Sequence, residues 1–273
     1  MPDIKLPTAL EMVVQAKRQY VQERKTKTPI EAIRALASMQ RRPQPILSTV
    51  TDDQHVLLIG QIRHSVIEAG SEKPDTDGDS YDPVSSALQC VHKGVDGLAL
   101  FTDETVYYGG LDDLVLVARA VNVPVITQDY ILDEYQVIEA RAAGAAALVL
   151  SAAVLEPGLL RSLLSATQRN RMTAIVQVHS RQELDHALTI SPLVIGISNI
   201  DLQTQQHDIE ITLQLRPLIP GHIRVMVMDG IRSADDLKRL AHLSLDAIMV
   251  EDVLLEAQPN VAALRTLLNG AKA

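Results

Sequence analysis

Tryptophan is absent from this chain, phenylalanine and cysteine occur once each, and aromatic residues make up only 3% of its 273 positions. A core without large rings must rest on Leu, Val, Ile and Ala, the aliphatic side chains that fill the interior of a parallel barrel. One cysteine, Cys90, excludes an intramolecular disulfide and any cysteine-based metal cluster, and a buried structural thiol is its expected role. Positive charge is scarce too: 25 Lys and Arg against 34 Asp and Glu give a formal charge of -9. That balance argues against nucleic acid or an anionic membrane as the main partner, and any grip on a phosphorylated molecule must be local. The longest apolar stretch, Ala142 to Leu155, is too short for a membrane span and is broken by Gly144. The opening MPDIKLPTALEMVVQAKRQ lacks the cationic-then-apolar pattern of a signal peptide, so a cytoplasmic protein is expected.

What is present is aliphatic and rhythmic. Hydrophobic residues reach 47%, enough for a sizeable core, and the length suits one large barrel spanning 1–273 better than two small domains. The first 50 residues form a helical extension: Leu10, Val13, Val14, Tyr20 and Val21 fall near one face, with Lys17, Arg18 and Arg24 around it. Thr28-Pro29-Ile30-Glu31 predicts a second helix with an N-cap, a first-position proline and a capping-box acid. From Val56 onward, short apolar runs alternate with amphipathic stretches: 56–62, 97–101, 123–127, 146–150, 173–178, 193–198, 223–228 and 246–250. Continuous apolar strands suit a parallel sheet covered on both faces, and eight of them favour a closed (β/α)8 barrel over an open sheet. In such a barrel, function sits at the C-terminal ends of the strands. Ser180 to Glu183 and Ser233 to Asp236 have the form of helix caps rather than catalytic serines. The polar, acidic segment 68–83 predicts a mobile surface loop or a lid over the barrel mouth. Its acids lack the terminal spacing of a calcium loop, and neither a metal nor a cofactor is expected.

Several blocks, in order, resemble the indole-3-glycerol phosphate synthase family. They are ALEMVVQAKRQYVQERK with TPIEAIRAL, Asp82-Pro83, Gly94, Phe101-Thr102-Asp103, and Tyr108-Gly109-Gly110 before Leu111 and Leu114. The most specific is PVITQDYILDEYQVIEARAAGA (124–145), followed by IVQVHSRQEL (175–184), IGISNIDL (195–202) and MDGI (228–231). The resemblance covers nearly the whole chain. It implies a (β/α)8 barrel and a carboxy-lyase reaction of tryptophan biosynthesis, in which a phosphorylated carboxyphenylamino-deoxyribulose closes an indole ring with loss of carbon dioxide and water. That chemistry needs a general acid, a base and a phosphate grip.

At the positions where the resemblance implies those groups, this chain departs from the family. The first-strand EVK block is Gln61-Ile62-Arg63, and the hydroxyl-bearing SPS segment is Val66-Ile67-Glu68. The family's general-acid lysine is Gln128, and its proton-transferring glutamate on the fifth strand is Gln177. Ser198 stands for the first asparagine of the sixth-strand block and Ile200 for its arginine, while the seventh-strand ESG is Met228-Asp229-Gly230. On the eighth strand Glu251 and Asp252 occupy the phosphate turn, where they either repel a dianion or simply form a solvated helix start. Arg63 is an anion anchor or an ion-pair partner of Glu68, Asp229 or Glu251; His179 is expected to be structural, and His55 or His64 to titrate near neutrality. The ligand-binding set expected is Arg63, Gln128, Gln177, Ser198, Asp229, Gly230 and Glu251, with Gln61 completing the family-equivalent catalytic positions. Three functions remain open: a small-molecule-binding or regulatory paralogue without the synthase reaction, an enzyme of changed chemistry using Asp229 or a histidine as base, and an active synthase. The residues imply a small-molecule ligand and leave the oligomeric state open.

Overall fold

The computed structural model describes residues 7–47, 56–63, 81–104, 109–231, 233–250 and 261–269. Eight parallel strands close into a barrel in sequence order: β1 (Leu57–Ile62), β2 (Gly97–Phe101), β3 (Val125–Gln128), β4 (Ala147–Ser151), β5 (Thr173–Val178), β6 (Val194–Ser198), β7 (Arg224–Asp229) and β8 (Ala247–Val250). The ring is sealed by β8 pairing with β1, Ala247 opposite Leu57 and Val250 opposite Gly60. Helices α1 (Thr8–Lys27) and α2 (Ile30–Met39) precede the strands. Between and after the strands run α3 (Pro83–Lys93), α4 (Leu111–Ala120), α5 (Glu134–Ala143), α6 (Pro157–Arg169), α7 (Arg181–Leu188), α8 (Glu210–Leu215), α9 (Ala234–Leu240) and α10 (Val261–Asn269). The expected (β/α)8 architecture is therefore the observed one. Among the described residues no helix is long and apolar enough to cross a membrane.

Side chains alternate along each strand and divide the core in two. Outward residues such as Leu58, Leu98, Leu148 and Val176 pack beneath the helices, where Cys90 is also buried. Inward residues, among them Ile59, Ile126, Val149, Ile175, Met226 and Met249, fill the barrel. Ile46 and Leu47 join this inner cluster from outside the sheet and plug its N-terminal end, where the Thr173 hydroxyl donates to the Ile46 carbonyl at 3.2 Å. Leu47 has φ of 59°, a conformation that costs a branched residue about 1–2 kcal/mol. Its nearly complete burial offsets that cost.

Three local expectations need correction. Thr28 does not cap α2: it terminates α1 in an extended conformation, Pro29 takes the N-cap position, and no side chain satisfies that helix end. Only Thr28 and Pro29 separate the two helices, and the Thr28 carbonyl instead accepts from the Tyr135 hydroxyl at 3.0 Å. The loop expected over 68–83 stops earlier, because Asp82 accepts from the Val84 amide and Pro83 opens α3; residues 68–80 lie outside the described residues. Lys17, expected beside the apolar face of α1, is itself part of the buried face at 2% exposure. The serine caps are as expected: Ser180 accepts from the Glu183 amide, and Ser233 from the Asp236 amide.

Candidate functional site

The inward rows continue past the aliphatic filling into a polar layer at the C-terminal strand ends. Two residues beyond Ile59 comes Gln61, beyond Ile126 Gln128, beyond Val149 Ser151, and beyond Ile175 Gln177. Gln61 and Gln128 are buried and Gln177 is half-buried. The Gln61 amide nitrogen lies 3.3 Å from Gln128 Oε1 and 3.4 Å from Asp229 Oδ1, and donates to both. These contacts bring together first-, third- and seventh-strand residues that lie far apart in sequence. Arg63, just past β1, is half-buried.

Asp229 reaches this group because of an irregularity in the sheet. The β6–β7 register shifts after Ile197, so that Ser198 pairs with Asp229 rather than with Met228. Met228 turns into the barrel, where it fills the space left by Gly196: a Cβ there would lie 2.3 Å from the Met228 sulfur. Gly230 has φ of 82°, and a Cβ would come within 2.8 Å of the Asn199 Cβ. Asn199, fully buried, donates to the Asp229 carbonyl at 2.9 Å and accepts from the Thr212 amide and hydroxyl at 3.1 and 2.7 Å. Asn199 is thus the brace of the sixth- and seventh-strand ends. Sequence reasoning looked at its neighbour Ser198; a polar residue following a strand of buried aliphatics was the available signal.

The Ser198 hydroxyl is buried without a hydrogen-bond partner among the described residues. An orphaned buried polar atom costs about 1–3 kcal/mol, which makes it a natural contact for a polar ligand group. His179 has no such vacancy. Its backbone amide and Nδ1 both meet Glu183 Oε2, at 2.8 and 2.9 Å, which is the structural role expected. Glu251 and Asp252, together with His55, His64 and the 66–68 segment, lie outside the described residues. No group of His, Cys, Asp and Glu suited to hold a metal occurs among the described residues.

Immediately behind the mouth lies a charged cluster that sequence reasoning missed. Lys17 Nζ reaches Asp103 Oδ2 at 3.1 Å and Asp129 Oδ1 at 2.7 Å, and all three side chains are nearly inaccessible. Asp103 follows β2 and Asp129 follows β3, so one lysine fixes α1 across two adjacent strand ends. Burial, together with the charge of Asp103, pushes Asp129 up to about 7 against the pull of Lys17. Burial works against the charged Lys17, but Asp129 and Asp103 outweigh it and hold the lysine above its ordinary value. At the margin of this cluster, the Tyr20 hydroxyl donates to Glu104 at 2.6 Å and Arg24 pairs with Glu139 at 2.7 Å.

A closed parallel barrel with polar side chains converging at its C-terminal mouth defines the class: a (β/α)8 barrel with its candidate site in the usual place. A family model described as indole-3-glycerol phosphate synthase matches residues 10–267. Full-length relatives bear the same name. Proteins from Dehalococcoides mccartyi and Carboxydothermus hydrogenoformans are 32% and 31% identical, each over 95% of this chain and 99% of their own length. One from Mycobacterium avium is 30% identical over 96% of this chain and 94% of its own. The chain belongs to the indole-3-glycerol phosphate synthase family.

Proposed function

We propose that this protein binds a small molecule in the barrel mouth and does not perform the family's ring-closing reaction. The observation that carries this reading is the hydrogen-bonded group Gln61–Gln128–Asp229, with Gln177 on the same inner face. An amide neither delivers nor accepts a proton near neutral pH, and each positioned acid or base contributes about 10²–10⁴-fold in rate. Amides do provide paired donors and acceptors. With the unpartnered Ser198 hydroxyl and the Asp229 carboxylate, they suit a neutral polar or hydroxyl-rich ligand.

A second reading is supported by the relatives: proteins named indole-3-glycerol phosphate synthase match 95% of this chain. In that reading the protein is an active synthase, or an enzyme acting on a changed substrate, whose proton donors and acceptors come from other positions. Asp229 is the carboxylate in the hydrogen-bonded group and is its candidate base. A steady-state assay with the phosphorylated carboxyphenylamino-deoxyribulose, run beside the Carboxydothermus relative, decides between them. The first reading expects turnover at the enzyme-free rate. Turnover comparable to the relative's establishes the second.

A further inference from the structure

The opposite end of the barrel holds a separate cavity of about 940 Å3, within the range of small-molecule sites. It opens between the segment 42–47, the end of α6, and the first residues of β5, β6 and β7. Leu164, Met172 and Val194 give it a buried apolar lining, and Leu193 at its edge is 66% exposed. Three guanidinium groups, Arg42, Arg171 and Arg224, line the same space. In a chain of formal charge -9, that is a local reversal of sign.

The positive charge is poorly compensated. Arg224 pairs with Asp246 at 2.6 Å, whereas Arg42 and Arg171 are exposed and form no salt bridge among the described residues. Arg171 also adds to burial in lowering the pKa of nearby Arg141. Arg141 cannot swing away, because its Nη2 donates to the carbonyls of Gln40 and Arg41 at 3.0 and 2.6 Å. The wall carrying Arg42 is tied down further by Gln40 Nε2 on the Ala142 carbonyl and Gln44 Nε2 on the Asn122 carbonyl, at 2.6 and 3.1 Å. Cations are thus held together beside apolar surface, and an anion entering there relieves their repulsion.

We propose that this cavity binds a small amphipathic anion. Its alkyl or aryl body lies on Leu164, Met172, Val194 and Leu193, and its terminal phosphate or carboxylate is paired by Arg42 and Arg171. The site is independent of the mouth, at the barrel end that ordinarily serves stability rather than catalysis. Calorimetric titration of the full chain with octyl phosphate, octanoate and octan-1-ol tests it, and the two anions separate a phosphate from a carboxylate preference. At least one anion is expected to bind more tightly than the alcohol and to weaken as salt rises. The double variant Arg42→Gln/Arg171→Gln is expected to bind that anion about tenfold more weakly, as two exposed ion pairs allow, without change in its affinity for the alcohol. Gln61→Leu in the mouth is expected to leave binding intact. Equal affinity for anion and alcohol, an unaffected double variant, loss of binding in Gln61→Leu, or no binding of any probe at millimolar concentration each overturns the proposal.

Discussion

The two faces of one strand end differ sharply. On β3, Gln128 points into the barrel and joins a hydrogen-bond group with Gln61 and Asp229, whereas Asp129, the next residue, turns outward into an ion cluster with Lys17 and Asp103. The outward face holds α1 to the strand ends through buried charge. The inward face spends its polar groups on contacts of 3.3 and 3.4 Å, which are long and weak. Architecture and chemistry are therefore carried by adjacent residues, and a change in one leaves the other standing. This is how a chain can belong to an enzyme family through its fold while its mouth calls for separate proof of activity.

The comparison breaks most visibly on the inner face. In the proposed reading, installing an acid and a base with Gln128→Lys and Gln177→Glu raises synthase turnover at least about 10²-fold above wild type. An unchanged rate means that the mouth lacks more than its ionisable groups. On the outer face, Lys17→Met strands Asp103 and Asp129 without their cation and is expected to cost about 3–5 kcal/mol, read from urea denaturation. A loss below 1 kcal/mol, on the order of an exposed pair, contradicts the assignment of Lys17 as the clamp of α1.

Between these lies the seventh-strand brace. Gly230→Ala forces a side chain onto a φ of 82° and into Asn199, for an expected loss of about 1–3 kcal/mol. A thermal scan that shows no shift would place the strain elsewhere. The pH response of the outer cluster has a definite sign. Burial raises Asp129 from 3.8 to about 7, so the folded protein holds a proton there that the unfolded chain has released. Its contribution to stability is full below the unfolded value and is lost as pH rises toward and through about 7. The advantage of wild type over Asp129→Asn, measured by denaturation, should shrink from about pH 5 to pH 8, whereas growth over that range reverses the sign. Smallest of all, Gln61→Leu removes two long hydrogen bonds and should cost no more than about 1.5 kcal/mol.

The barrel itself was legible because its strands are buried on both faces and appear in sequence as unbroken aliphatic runs. All eight runs became strands, with β3, β4 and β7 each reaching one residue further, to Gln128, Ser151 and Asp229. The inner polar row was legible as well, once strand ends were located, since alternate residues share a face. Lys17 was not. Its burial depends on Asp103 and Asp129, which lie 86 and 112 residues away, and helix periodicity alone places a lysine in solvent. Asp229 was found by position, but its route into the mouth depends on a register shift that leaves no mark in composition. Thr28 misled because a cap motif and a two-residue interhelical link look alike when only local sequence is considered.

The most direct measurement is a single-turnover experiment with wild-type protein in excess over the family's phosphorylated substrate, which reports one chemical event regardless of product release. With the amides Gln61, Gln128 and Gln177 in place of an acid and bases, substrate should be recovered intact over times in which the enzyme-free control is also unchanged. Formation of the indole product in proportion to bound protein would contradict the proposed loss of chemistry.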